Sequence, residues 1–266
     1  MNEQGFRLDQ FEGLALVRCA AVEAIAGIAH AFSTRRGSGG AAFDLGASAD
    51  ATLEIAARRR VFVRAAGLAA AQPAILRQVH GCTIVTIDEA SYEPPAADGV
   101  ISVLARDGGS LAPSVRTADC VAVLVADGDA AVVAAVHAGW RGIAAGIGSS
   151  TVSRFAAEGV PADRLVVALG PAIRGCCYEV GDEVVAQLDA RCGAARAHVA
   201  TDRAGRVTVD LHTALRTQLA AAGVPPESIY GAPWCTRCRT DLFFSFRAEG
   251  QSAGRSMAAI GPAARP

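Results

Sequence analysis

The run VAVLVADGDAAVVAAVHAGWRG, residues 121–142, decides the reading of the fold. Two Val-rich apolar stretches, Val121–Ala126 and Ala131–Val136, flank Asp127-Gly128-Asp129-Ala130. Each is far too short to span a bilayer, and continuous apolar character without alternation fits strands covered on both faces. The residues between them read as a tight hairpin, with Gly128-Asp129 as a two-residue loop of type II′. Asp127 then pairs with Ala130, and counting outward sets Cys120 opposite His137. Directly opposed residues share a face, with Cβ atoms roughly 4.5–5.5 Å apart. At that spacing a thiolate and an imidazole either converge on one metal ion or form a Cys–His ion pair. Just beyond, Gly139-Trp140-Arg141-Gly142 reads as a strand-to-helix junction. Such a junction offers an anion backbone N–H groups and a cation, unless Arg141 simply pairs with a surface carboxylate.

Outward from this hairpin, Thr52 to Gly67 reads as a helix, Ala74–Val79 and Cys82–Ile87 as strands meeting near His80-Gly81, and Gly99–Leu104 as a strand after a Pro94-Pro95 loop. Downstream, Gly142 to Gly159 reads as a helix broken by Pro161, and Leu165–Leu169 as a strand. Helices follow at Asp182–Cys192 and Leu211–Ala222, the second capped by Asp210 and ended by Gly223. Phe243–Phe246 and Ser256–Ile260 read as closing strands. The expectation is a mixed α/β layer structure, residues 1–266 forming one domain, without the strict alternation of a doubly wound sheet.

Composition narrows the function. All 25 cationic residues are arginine, so Schiff-base and phosphate-loop lysines are excluded. The net charge is -1 and there is no basic stripe, which argues against nucleic-acid binding. The first residues lack an apolar signal region, so a cytoplasmic protein with reduced cysteines is expected. His80, in Gln78-Val79-His80-Gly81, is either a loop histidine or a third ligand that sequence spacing alone does not bring to the hairpin. Cys235-Thr236-Arg237-Cys238 is a single CxxC, and a zinc site would need a second pair, so these read as free structural or loop thiols. The adjacent Cys176-Cys177 read as buried packing residues whose side chains diverge.

Several stretches together resemble the bacterial laccase-domain family, also called polyphenol oxidases or peptidoglycan editing factors and regarded as purine nucleoside phosphorylases. They are Ser33–Gly37, Gln78–Gly81, Thr117–Cys120, Val136–Gly142, Gly170–Ile173 continuing to Cys176–Gly181, Cys235-Thr236 and Phe243–Arg247. The resemblance implies an α/β/β/α fold with zinc, or alternatively copper, held by His80, Cys120 and His137. It implies phosphorolysis of adenosine, inosine, guanosine or methylthioadenosine, with a side activity as adenosine deaminase, in a monomer or homodimer. With no lysine, arginines must hold phosphate. Arg35 and Arg141 are the candidates, Arg36 and Arg77 the weaker ones. Asp119 is either a proton shuttle or a structural carboxylate. The chain departs from the family pattern at Asp44, Ala122, Leu215 and Phe246, and Asp44 bears on ribose contacts.

Two other chemistries compete. A cysteine-dependent hydrolase of peptidoglycan precursors would use Cys120 as nucleophile and His137 as base. A copper-dependent polyphenol oxidase would need more than five histidines and an axial methionine, and only Met1 and Met257 exist. A non-catalytic structural zinc site would need a fourth protein ligand near the three.

Overall fold

The computed structural model describes residues 5–46, 52–70, 72–86, 94–106, 111–192, 198–202 and 204–264. Two sheets dominate it. The first runs in the order β1 (Phe6–Phe11), β2 (Leu14–Cys19), β3 (Ile28–Ser33), β15 (Ser256–Pro262), β8 (Ser114–Thr117), all neighbours antiparallel. The second runs β14 (Ile229–Gly231), β11 (Leu165–Leu169), β9 (Val121–Asp127), β10 (Val132–Ala138), β6 (Gly99–Val103), β5 (Ile84–Thr86). It is mixed: β14 and β5 join it in parallel and the central pairs are antiparallel. Two small ribbons pair β4 (Gln72–Pro73) with β7 (Leu111–Ala112) and β12 (Val199–Thr201) with β13 (Val207–Val209).

Side-chain alternation in β9 and β10 explains the layering. Ala122, Leu124, Ala126, Val133 and Ala135 face the first sheet and meet Val17, Phe32, Val115 and Ile260. Val121, Val123, Val125, Val132 and Val136 point the other way, onto four helices. These are α3 (Trp140–Ala145), α4 (Ile147–Ala157), α5 (Asp182–Cys192) and α6 (Leu211–Ala221), which contribute Ile143, Phe155, Leu188 and Leu215. Both faces of the central strands are therefore covered, and that is why they lack polar residues. On the outer face of the first sheet, Leu14, Leu16 and Met257 pack on Phe62 and Val63 of α2 (Leu53–Ala65). The remaining helices, α1 (Ala20–Glu23) and α7 (Phe246–Glu249), are single turns. The α/β/β/α order expected from the sequence is the one observed.

Some boundaries differ from expectation. Ala74–Val79 is not a strand; it runs alongside Pro95 and Ala96 through an isolated Arg77–Ala96 bridge and an Arg77 N–H to Pro95 carbonyl bond of 2.9 Å. Of the strand expected at Cys82–Ile87, Ile84–Thr86 forms β5, and Ile87 lies outside the described residues. The helix expected from Gly142 to Gly159 is broken at Gly146, whose φ of 92° ends α3 and starts α4. Phe243–Phe246 is not a strand either. Phe243 and Phe244 are buried plugs, and Ser245 caps α7 by accepting the Ala248 N–H at 3.3 Å.

The hairpin register also differs. Ala126 pairs with Val133 and Val121 with Ala138, two residues out from the expected pairing. The loop has four residues rather than two. The Asp127 carbonyl accepts the Ala130 N–H at 2.9 Å, and the left-handed residue is Ala130, with φ 57°, rather than Gly128. Buried Asp127 causes this by taking the Asp129 N–H at 3.2 Å and the Arg164 guanidinium at 2.8 Å, which fixes a wider turn. A slip of two preserves every side chain's face, whereas a slip of one would have reversed them.

Candidate active site

The alternation that fills the space between the sheets also assembles the site. Extending it past the strand ends places Cys120 with Ala122, His137 with Ala135 and Asp98 with Val100, all on the inter-sheet face. Val136 pairs with Gly99, so Asp98 stands opposite His137 and its carbonyl accepts the His137 N–H at 2.6 Å. The site thus lies where the inter-sheet layer opens at one edge. Cys120 sits diagonally from His137 rather than directly opposite, beyond the last pair of the ladder.

His80 arrives from the loop before β5, in a left-handed conformation with φ 60°. That conformation is costly for a residue other than glycine and needs outside support. Asp98 provides it. Its carboxylate accepts the N–H of His80 at 2.9 Å and of Gly81 at 2.6 Å, and its Oδ1 lies 2.8 Å from His137 Nδ1. One fully buried carboxylate therefore fixes both histidines and leaves His137 Nε2 facing the thiol side. The His80 and His137 rings stand edge to face, 4.8 Å apart. One ligand atom from each of His80, Cys120 and His137 falls within 4.8 Å of the others. Gly139 makes the approach possible, because a Cβ there would lie 2.9 Å from Cys120 Sγ and 3.2 Å from His80 Cδ2.

The electrostatics follow from this packing. Burial opposes charge on Cys120, yet the adjacent His137 imidazolium and hydrogen bonds from both histidines pull the thiol down to about 6. Burial likewise opposes charge on His137, yet the Cys120 thiolate and Asp98 raise it to about 9. Asp98 is held below the usual carboxylate range, burial being outweighed by bonds from His137, Gly81 and His80. Two imidazoles and one ready thiolate suit zinc or copper, and three protein donors leave a coordination position open. The donor set and its Asp98 support fit a catalytic metal.

Above these residues lies a cavity of about 450 Å³. Arg116, Arg141, Arg247 and Arg255 line it, with Asp119 as the one acid among the described residues. Three of these guanidiniums stack on rings: Arg141 on Trp140 at 4.4 Å, Arg247 on Tyr178 at 4.9 Å and Arg255 on Phe246 at 5.9 Å. Trp140, Tyr178 and Phe246 line the same cavity, so it offers flat apolar surface beside concentrated positive charge.

Residues 29–263 match the family described as multi-copper polyphenol oxidoreductase laccase. The chain belongs to this family. Among relatives, it is 37% identical over 239 residues to a purine nucleoside phosphorylase of Deinococcus radiodurans, covering 88% of this chain and 89% of that one. It is 36% identical over 197 residues to adenosine deaminase RL5 of an unknown prokaryotic organism, covering 69% and 72%. The crystal structure of YlmD from Geobacillus stearothermophilus superposes with a TM-score of 0.82 at 29% identity, covering 97% of this chain and 98% of that one.

Within this laccase-like fold, the residues singled out from sequence separate into two groups. His80, Cys120, His137, Asp119 and Arg141 come together at the cavity. Arg35 does not. Its Nη1 binds Glu249 and the Thr240 carbonyl, each at 2.8 Å, so it buttresses α7 from behind. Arg36 pairs with Asp241, and neither Arg36 nor Arg77 lines the cavity. Asp44 is likewise away from it, accepting the N–H of Gly46 at 2.9 Å and of Arg255 at 2.7 Å. The Asp119 carboxylate is committed on both oxygens, to Thr236 Oγ1 and to the Arg247 N–H at 2.6 Å each, which is the structural alternative. Sequence reasoning missed Asp98, Arg116, Arg247, Arg255 and Tyr178 as parts of the site. Arg247 and Tyr178 lay inside quoted motifs, and the Asp98-Gly99 step at a strand entrance was the one local sign of the carboxylate.

Proposed function

We propose that this chain is a purine nucleoside phosphorylase. It cleaves adenosine, inosine, guanosine or methylthioadenosine with phosphate, giving the free base and the 1-phosphate of the sugar, and it deaminates adenosine at the same centre. The names of its relatives support the reading. The observation that carries it is one cavity holding a His–Cys–His donor set, four arginines and three aromatic rings. In phosphorolysis a phosphate oxygen attacks C1′, the bond from C1′ to the base breaks, and the base takes the electron pair and a proton. Arginines supply charge and paired donors for phosphate. Tyr178 and Phe246 offer faces for a purine. Burial, reinforced by the Cys120 charge, pushes the Tyr178 phenol up to about 12, so it stays neutral and can donate. His80, Cys120 and His137 would hold zinc, which supplies Lewis-acid polarisation and an activated water. With Asp119 committed elsewhere, the proton shuttle of deamination falls to another group.

Chromatography of adenosine incubated with the protein, with and without phosphate, tests the proposal. Adenine that forms only with phosphate, and inosine that forms in both, are expected. Unchanged adenosine and inosine would overturn it. Multicopper oxidation is disfavoured because the other three histidines are committed elsewhere: His30 Nε2 accepts the Cys19 N–H, His198 Nε2 lies 3.2 Å from the Asp189 carboxylate, and His212 Nε2 meets the Gly170 carbonyl. No helix among the described residues is long and apolar enough to cross a membrane, and eight free thiols suit the reducing cytoplasm.

The metal-free thiolate–imidazolium pair favours one second reading, a cysteine hydrolase acting on peptidoglycan precursors. Iodoacetamide separates the two. Zinc that protects Cys120 in the active protein supports the phosphorylase, and activity that survives chelation but not alkylation supports the hydrolase.

A further inference from the structure

Four thiols that sequence spacing left unconnected meet on the outer side of the cavity wall. Cys176 and Cys177 sit on a turn in which the N–H groups of Cys177 and Tyr178 donate to the Arg174 carbonyl at 2.9 and 3.0 Å. Cys235 and Cys238 sit on a second turn, closed by the Arg239 N–H on the Cys235 carbonyl at 3.0 Å. A Thr236 N–H to Ala172 carbonyl bond of 3.0 Å ties the two segments together. The expectation of buried, diverging Cys176 and Cys177 is overturned: Cys176 is exposed, and both sulfurs turn toward Cys238, at 3.7 and 3.3 Å. All four Sγ atoms lie within 4.8 Å of one another.

Packing does not explain this cluster. Cysteine used as a small hydrophobe is buried, as Cys19 and Cys192 are here, whereas Cys176 and Cys238 are exposed. Thiol–thiol hydrogen bonds are too weak to gather four sulfurs. A single tetrahedral ion does explain it, since a Zn–S bond of about 2.3 Å sets neighbouring sulfurs about 3.8 Å apart. The Cys176–Cys238 and Cys177–Cys238 separations, 3.7 and 3.3 Å, lie just below that value, and all four sulfurs stay within 4.8 Å of one another. An iron–sulfur cluster needs space between the thiolates for several irons and sulfides, and the tetrad is too compact for one. The surroundings suit a negatively charged centre, with the Arg174 N–H pointing at Cys235 Sγ from 3.5 Å and the Arg237 side chain reaching the Cys177 sulfur.

We propose that Cys176, Cys177, Cys235 and Cys238 form a tetrathiolate site for one zinc ion, separate from the His80–Cys120–His137 centre. Four protein donors close the coordination shell, so this ion is structural. It clamps two turns that shape the cavity. Tyr178, next to Cys177, lines the wall, and Thr236, next to Cys235, donates to the Asp119 carboxylate that holds the start of α7. The assignment does not depend on the reaction proposed above.

The test is zinc content of the reduced, full-length His80→Ala/His137→Ala protein, in which the first centre is removed. It is expected to retain one zinc per chain after desalting, and to show the sulfur-to-metal charge-transfer absorption of a tetrathiolate when loaded with cobalt instead. Adding Cys176→Ser and Cys238→Ser should remove the ion, with circular dichroism checking that the fold persists. A His-deleted protein that retains no zinc, or a Cys-deleted one that retains it, overturns the proposal. If the Cys variants do not fold, peptide mapping of the unmutated protein decides. Zinc is expected to slow iodoacetamide labelling of all four cysteines, and equal labelling with and without zinc overturns the site.

Discussion

The floor and the rim of the cavity are built in opposite ways. The floor is the proposed donor set, Cys120 and His137 at strand ends and His80 on the loop before β5, each fixed by a sheet register or by Asp98, with Gly139 leaving no room for another side chain. The rim is arginines of mixed anchorage. Arg116 is buried in β8 and donates to the Leu76 carbonyl at 2.6 Å, whereas Arg141 and Arg247 are exposed and stack on Trp140 and Tyr178, Arg247 also donating to the Glu179 carbonyl at 2.8 Å. A floor of this kind allows one arrangement of donors. A rim of this kind keeps charge near the opening while its exposed guanidiniums, Arg141 and Arg247, can adjust to what enters. The chemistry should therefore fail abruptly when the floor is altered, and affinity should decline by degrees when the rim is altered.

Loss of the thiolate is the severest test of that contrast. Cys120→Ala is expected to lower both phosphorolysis and deamination at least ~100-fold, exceeding the cost of losing an outer partner of a metal ligand. Zinc should fall with activity, and circular dichroism should be unchanged because Cys120 lies beyond the last pair of β9. A Cys120→Ala enzyme with full activity would mean that the floor is not the reactive centre.

Removing only the support behind the floor should have the next largest effect. Asp98→Asn keeps the shape but replaces the anion that His137 faces, and should weaken zinc binding by about 10–100-fold. It has a second signature in the metal-free protein. There Cys120 titrates at about 6, so alkylation by iodoacetamide should rise through pH 6 rather than through the ordinary thiol range near 8.5. Asp98 helps hold the His137 proton, and the His137 charge in turn lowers the thiol. Asp98→Asn should therefore lower, from about 9, the pH at which His137, followed by NMR, loses its proton, and so shorten from its alkaline side the range in which the ion pair exists. Zinc displaces the His137 proton, so apparent affinity in the parent protein should climb as pH rises toward 9. A His137 titration unmoved in Asp98→Asn would show that Asp98 only orients the rings.

The same contrast explains what could be read from the sequence. Apolar continuity in Val121–Ala126 and Ala131–Val136 reports burial on both faces, a local property, so the central strands were legible. So were α5, β11 and the Asp210 cap, where the Thr213 N–H meets the carboxylate at 3.0 Å. The hairpin register was wrong by two because it depends on Asp127 meeting Arg164, a contact 37 residues apart in the chain. Cys120 and His137 are not the directly opposed pair expected, yet they still share a face because parity, not register, sets it. Asp98 and the cysteine tetrad were not legible, since each depends on segments that only the folded chain brings together. The arginines were half legible: motif context found Arg141, but Arg116 and Arg255 reach the cavity from strands β8 and the turn before β15.

On the rim, Arg141→Ala should raise the KM for phosphate about tenfold with kcat for deamination unchanged, because a charge-assisted bond contributes about 1.5–3 kcal/mol and exposure reduces it. Equal loss in both reactions would make Arg141 part of the floor's machinery instead.

The smallest effect is expected where sequence context pointed to a phosphate ligand and the fold put a brace. Arg35 is partly buried against Glu249, whose other carboxylate oxygen accepts the Ser245 N–H at 3.0 Å just ahead of α7. Cutting the brace loosens the segment carrying Phe246 and Arg247 without removing a charge from the cavity. Arg35→Ala should therefore cost within about 1 kcal/mol, less than sixfold in rate, since an ion pair still in contact with solvent contributes little. The loss should fall equally on phosphorolysis and deamination, and Glu249→Ala should reproduce it. A selective rise in the KM for phosphate in Arg35→Ala, absent from Glu249→Ala, would instead mean that the guanidinium swings from Glu249 to the anion, and the brace would become part of the rim.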